Sequence, residues 1–190
     1  MITALDKNTA LVLIDLQNSV VGLTLAQPVK DVLANAAKLV EAFRKADLPI
    51  VYVNVNPAGA NWTKARKDAN PVAGAAFKAE DWLDIVPEIN AQPGDIFITK
   101  HTWGAFYETG LDAELKKRAI TGIVLCGVST SIGVEGTARH ASERGYNITF
   151  AKDAMTDMFL DAHENSLNRI FPRIGEVGMT EEVIGCLNRD

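Results

Sequence analysis

Leu125-Cys126-Gly127-Val128-Ser129-Thr130-Ser131-Ile132-Gly133-Val134-Glu135-Gly136-Thr137-Ala138-Arg139 carries the chain out of the apolar run 122–127 and into a segment of helical period. An uninterrupted apolar run without alternation is what a strand covered on both faces requires, and the small polar residues after it mark a turn. Strand, turn and helix in that order form the unit from which parallel sheets are wound.

The same alternation extends outward in both directions. Apolar, β-branched runs occupy 9–15, 50–55, 95–99 and 146–151, and more weakly 176–179. Helical stripes lie between them. The clearest has Pro28 in its first turn and Val29, Val32, Leu33, Ala36, Leu39, Val40 and Phe43 on one face. Others cover 111–118, 131–144, 162–170 and 180–187. This predicts an α/β fold, a doubly wound, Rossmann-like parallel sheet of about six strands with helices on both faces. Its ligands are expected at the carboxyl ends of the strands, where the strand order reverses. The segment 56–80, with Gly59, Pro71, Gly74, Lys64, Arg66 and Lys67, has no strong period and reads as a long loop, either a lid or interface element or a solvated connection.

Composition narrows the function. The 190 residues are 47% hydrophobic, enough for one sizeable core, and no linker or repeat divides them, so a single domain spanning 1–190 is expected. A net charge of −5 with scattered basic residues offers nucleic acid or an anionic membrane no footprint. A small-molecule substrate is the expected partner. No apolar stretch reaches the ~20 residues of a membrane span, and the first residues lack the pattern of a signal peptide, which points to a cytoplasmic protein. Cys126 lies in an apolar run and Cys186 near the end, so neither suggests a disulfide framework.

The strand ends supply the candidate site. Asp15 closes the first run, followed by Gln17, a candidate substrate contact; an aspartate there is either functional or the cap of the next turn. Lys100 ends the third run and is either a fixed positive charge beside Asp15 or an exposed strand terminus. Trp103 and Phe106 follow it and can wall off water. After the fourth run, Ser129 and Thr130 open a helix whose first amides would face the same cleft; they are either substrate contacts or helix caps.

Asp15 in LVLIDLQN, Lys100 in ITKHTWGAF and the segment GVSTSIGVEGTA resemble, in order and separation, the Asp, Lys and Cys motifs of the isochorismatase-like, or cysteine, hydrolases. The resemblance runs along nearly the whole chain. It implies a hydrolase in which Asp15 acts as the family's base and Lys100 supports developing charge; in a reaction that needs an acid, Asp15 either donates a proton, if burial outweighs the Lys100 ammonium, or orients water as a carboxylate. At the position of the family's nucleophilic cysteine stands Gly133, which cannot attack; Cys126, seven residues earlier in an apolar run, reads as inert packing. A branch with glycine there, the isochorismatases, cleaves a vinyl ether, a reaction that needs an acid and water but no nucleophilic side chain. Asn56-Pro57 resembles that branch's substrate-binding Gln-Pro pair; otherwise Asn56 is a turn residue before proline. Thr102-Trp103 and Ser131-Ile132 depart from the branch, and the second pair resembles the cysteine enzymes. A catalytically silent binding protein is the alternative.

The resemblance further implies a cis peptide between Val128 and Ser129, and a homo-oligomer, dimer or tetramer, for which Trp62 and Trp82 offer interface aromatics. No cofactor is expected, because the run Ser131 to Gly136 lacks the first glycine of a dinucleotide fingerprint. The turn Gly127 to Ser131 lacks the closing glycine of a serine nucleophile elbow. No metal is expected either: relatives that hold zinc use histidines after the second strand, where this chain has Asn56-Pro57-Ala58-Gly59. His101 can approach the cleft, while His140 and His163 read as surface residues on helices.

Overall fold

The computed structural model describes residues 2–58 and 80–187. Six parallel strands, β1 (Thr9–Ile14), β2 (Ile50–Val55), β3 (Ile96–Lys100), β4 (Gly122–Val128), β5 (Asn147–Thr156) and β6 (Glu176–Gly178), form one sheet in the order β3-β2-β1-β4-β5-β6. The order reverses between β1 and β4. Their carboxyl ends therefore diverge into a crevice, the place where a doubly wound sheet takes its ligand.

The helices are α1 (Asn18–Val21), α2 (Val29–Lys45), α3 (Leu111–Lys117), α4 (Glu135–Glu143), α5 (Leu160–Asn165) and α6 (Thr180–Leu187). Strand side chains alternate between two apolar layers. Ala10, Val12 and Ile14 of β1 pack with Leu111 and Leu115 of α3 and Ala138 and Ala141 of α4. Leu11 and Leu13 pack on the other face with Leu33, Leu39 and Phe43 of α2 and Val183 of α6. Both sheet faces are thus covered, which is why the strands read as continuous apolar runs.

Three departures from the sequence reading have local causes. Strand β5 runs five residues past Ala151, because its register against β4 jumps from Leu125↔Phe150 to Gly127↔Met155, and the extra residues include exposed Lys152 and half-buried Asp153, which break the apolar signal. The predicted helix at 131–144 opens one residue earlier as a π-helical turn, Thr130–Val134, before α4. His163 is not a surface residue but 5% exposed on the inner side of α5, and the Nδ1 of His140 is buried against Gly104. Of the expected long loop, 59–79, including Trp62, lies outside the described residues. Among those described, no helix is long and apolar enough to cross a membrane.

Candidate active site

At the end of β1 the backbone of Asp15 turns into the left-handed region, φ 52°, a conformation that aspartate tolerates better than most residues. Its N–H stays in the sheet, donating to the Val53 carbonyl at 2.8 Å. Its carboxylate meets Lys100 from the end of β3: Lys100 Nζ donates to Asp15 Oδ2 at 2.7 Å and to the Thr102 carbonyl at 3.0 Å. Both residues are buried, Lys100 2% and Asp15 5% exposed, so Lys100 is not the exposed strand terminus of the alternative reading. The other carboxylate oxygen, Oδ1, is buried and bonds to nothing among the described residues.

Burial pushes the Asp15 carboxyl up from 3.8 to about 6, with desolvation outweighing the neighbouring ammonium.

Gly133 forms the third side. A Cβ on Gly133 would lie 3.2 Å from Asp15 Oδ2, 2.8 Å from the Cγ2 of Ile14 and 3.4 Å from the Val128 carbonyl. The chain reaches this point through Gly127, with φ 120°, and a cis peptide between Val128 and Ser129. Only glycine fits at 127, since a Cβ there would fall 2.1 Å from the Ile14 carbonyl oxygen. Asp15, Lys100 and Gly133 thus converge.

The remaining candidates are placed differently. Gln17 is fully buried; its Oε1 accepts the Val55 N–H at 2.6 Å, and its amide nitrogen donates to Ser19 Oγ, Val55 O and Trp82 O. Its hydrogen bonds hold the ends of β1 and β2 and the returning segment around Trp82 together. Asn56 Oδ1 accepts the Ala58 N–H at 3.0 Å, a local turn bond, and its carbonyl lies 2.6 Å from His101 Nδ1. Trp103 is 55% exposed. Phe106 is 4% exposed and belongs to the core, 5.7 Å from the Tyr146 ring with the Arg144 guanidinium above it. Ser129 is half-buried beside the cleft, while Thr130 is fully buried and bonded to Thr156 and His163.

Sequence reasoning missed Asp157, His163 and Thr137. Asp157 follows the unrecognised extension of β5, and His163 was assigned to the outer face of its helix. Thr137 donates to the Gly133 carbonyl at 2.7 Å and accepts the Ala105 N–H at 3.0 Å, fastening the loop after Lys100 to the helix that carries Gly133.

Residues 9–182 match the model of the isochorismatase domain. An uncharacterized isochorismatase family protein of Bacillus subtilis is 45% identical over 94% of this chain and 93% of its own. An isochorismatase family protein from Burkholderia thailandensis superposes with a TM-score of 0.91 and 40% identity over all of both chains. N-carbamoylsarcosine amidase from Thermoplasma acidophilum superposes with a TM-score of 0.74 and 28% identity over 92% of this chain and 97% of its own. By sequence and by fold, then, the chain belongs to the isochorismatase family of hydrolases.

Proposed function

We propose that this chain hydrolyses a small carboxylated substrate with water as the nucleophile and without a covalent intermediate, and that isochorismate, a vinyl ether, is the leading candidate. The observation that carries the reading is the asymmetric Asp15 carboxylate: Oδ2 is fixed by Lys100 and faces Gly133, while Oδ1 is buried with no partner among the described residues. In this reading Gly133 stands where most of the family has its cysteine, and offers no side chain that could attack.

The chemistry follows from the proton. With its carboxyl near 6, Asp15 is protonated in a useful fraction of molecules around neutrality and can donate to the methylene carbon of an enol ether. The oxocarbenium ion so formed is captured by water, and the hemiketal collapses to pyruvate and an alcohol. The carboxylate left behind is stabilised by Lys100 and regains its proton from the added water. The catalytic set is thus Asp15, Lys100 and Gly133. The exposed Trp103 and Tyr107 suit an interface between copies of the chain, in keeping with a homo-oligomer.

A second reading, water attack on an amide or ureido carbon, draws on the likeness to N-carbamoylsarcosine amidase. Incubation with isochorismate, following pyruvate release by the native chain, Asp15→Asn and Gly133→Cys, separates the two. Release that vanishes in Asp15→Asn supports the vinyl-ether hydrolase. Absence of release from the native chain overturns it, and an amidase activity gained by Gly133→Cys would then assign the scaffold to the cysteine enzymes.

A further inference from the structure

The turn that sets Gly133 against Asp15 is held from elsewhere in the fold. The Ser131 N–H donates to Asp157 Oδ2 at 2.7 Å, and the Phe159 N–H donates to Oδ1 of the same carboxylate at 3.3 Å. Thr130 Oγ1 donates to the Thr156 carbonyl at 3.0 Å and lies 2.8 Å from His163 Nδ1. Thr130, Thr156, Asp157 and His163 are all at most 5% exposed. Water therefore competes little for these bonds.

Proton accounting fixes the direction of the last one. The Thr130 hydroxyl has one hydrogen, and the Thr156 carbonyl, which has none to give, takes it. The 2.8 Å contact is consequently an Nδ1–H of His163 donating into Thr130 Oγ1. Burial pushes the imidazole below its ordinary value while Asp157 and Glu164 oppose that shift, which favours the neutral ring, and the bond to Thr130 is what puts its hydrogen on Nδ1.

We propose that Asp157 and His163 are positioning residues of the hydrolytic site, which hold the turn from Ser129 to Gly133 and so set the gap between Gly133 and Asp15. The proposal rests on the reading of Asp15 and Gly133 as that site. Neither residue touches the cleft trio; they act through Ser131 and Thr130. Displacing a reacting group by ~1 Å is enough to cost about 100-fold in rate, so a bond two residues from Gly133 can control turnover.

The test compares His163→Leu, which loses the donor, with His163→Asn, whose amide can supply a hydrogen from nearly the Nδ1 position. Thr130→Val removes the bridge from its other end should His163→Leu fail to fold. Two readouts are taken: carbon-13 NMR titration of Asp15, and kcat for pyruvate release from isochorismate. His163→Leu and Thr130→Val are expected to shift the Asp15 titration and to lower kcat 10- to 100-fold with KM little changed, while His163→Asn restores both. An Asp15 titration unmoved in both disruptive variants overturns the proposal. If the native chain releases no pyruvate, the assigned reaction fails, and the titration still decides whether the turn is held from His163.

Discussion

Lys100 engages Asp15 through Oδ2, at 2.7 Å, and Oδ1 is buried with no bond among the described residues. A purely structural ion pair would gain by satisfying both oxygens, because an unmet buried acceptor costs about 1–3 kcal/mol. Asp15→Asn keeps the shape and a carbonyl oxygen for Lys100 but cannot give up an acidic proton. It is expected to lower turnover by roughly 100-fold to 10,000-fold while the protein remains folded, as steady-state assay and circular dichroism would show.

The raised carboxyl also has a thermodynamic signature. Between pH 3.8 and about 6 the folded state binds more protons at Asp15 than the unfolded state, so the contribution of Asp15 to stability is full below that window and is lost as pH rises through it. A shift of this size corresponds to about 3 kcal/mol. Urea unfolding of the native chain and Asp15→Asn at pH 4 and pH 7.5 should show the difference between them moving in the variant's favour by up to that amount. A difference independent of pH would place the Asp15 carboxyl at its ordinary value.

Gly127 is expected to tolerate no side chain. A methyl group there must overlap the Ile14 carbonyl while the backbone keeps φ 120°. Gly127→Ala should cost roughly 3–5 kcal/mol, combining backbone strain with overpacking, or prevent folding. Thermal unfolding within a degree of the native value would show that β4 can leave β1 more easily than the structure implies.

At Gly133 the obstruction is softer, a methyl of Ile14 at 2.8 Å and the Asp15 oxygen at 3.2 Å. Gly133→Ala should fold with a loss of about 1–3 kcal/mol. Its larger effect should be on turnover, at least 10-fold, because the added methyl enters the space beside the reacting carboxylate. Equal activity in Gly133→Ala would remove Gly133 from the catalytic set.

How much of this is legible in the chain depends on what carries the signal. The strands with both faces covered announce themselves, and Ile50–Val55 is read to the residue although Asn54 stands within it, because the β-branched and aromatic residues around it carry the signal. The end of β5 is hidden by Lys152 and Asp153, and with it the strand-end rule that would have singled out Asp157 as it did Asp15. Phe106 shows the opposite failure. Position in a motif after Lys100 suggests a cleft wall, but the chain turns it beneath Arg144 and Tyr146, a long-range contact with no local trace. Gln17 and Thr130 lie near the cleft in sequence, yet their side-chain bonds join separate elements and become visible only when β1, β2 and β5 are side by side.

The strand order has a mechanical consequence. Asp15 and Lys100 belong to the half of the sheet made by β3, β2 and β1, whereas Gly133 follows β4 in the other half. A molecule in the cleft that touches both Asp15 and the turn carrying Gly133 would act as a rivet across the seam, resisting shear of one half against the other, and two separately expressed fragments divided after residue 118 should associate more tightly in its presence.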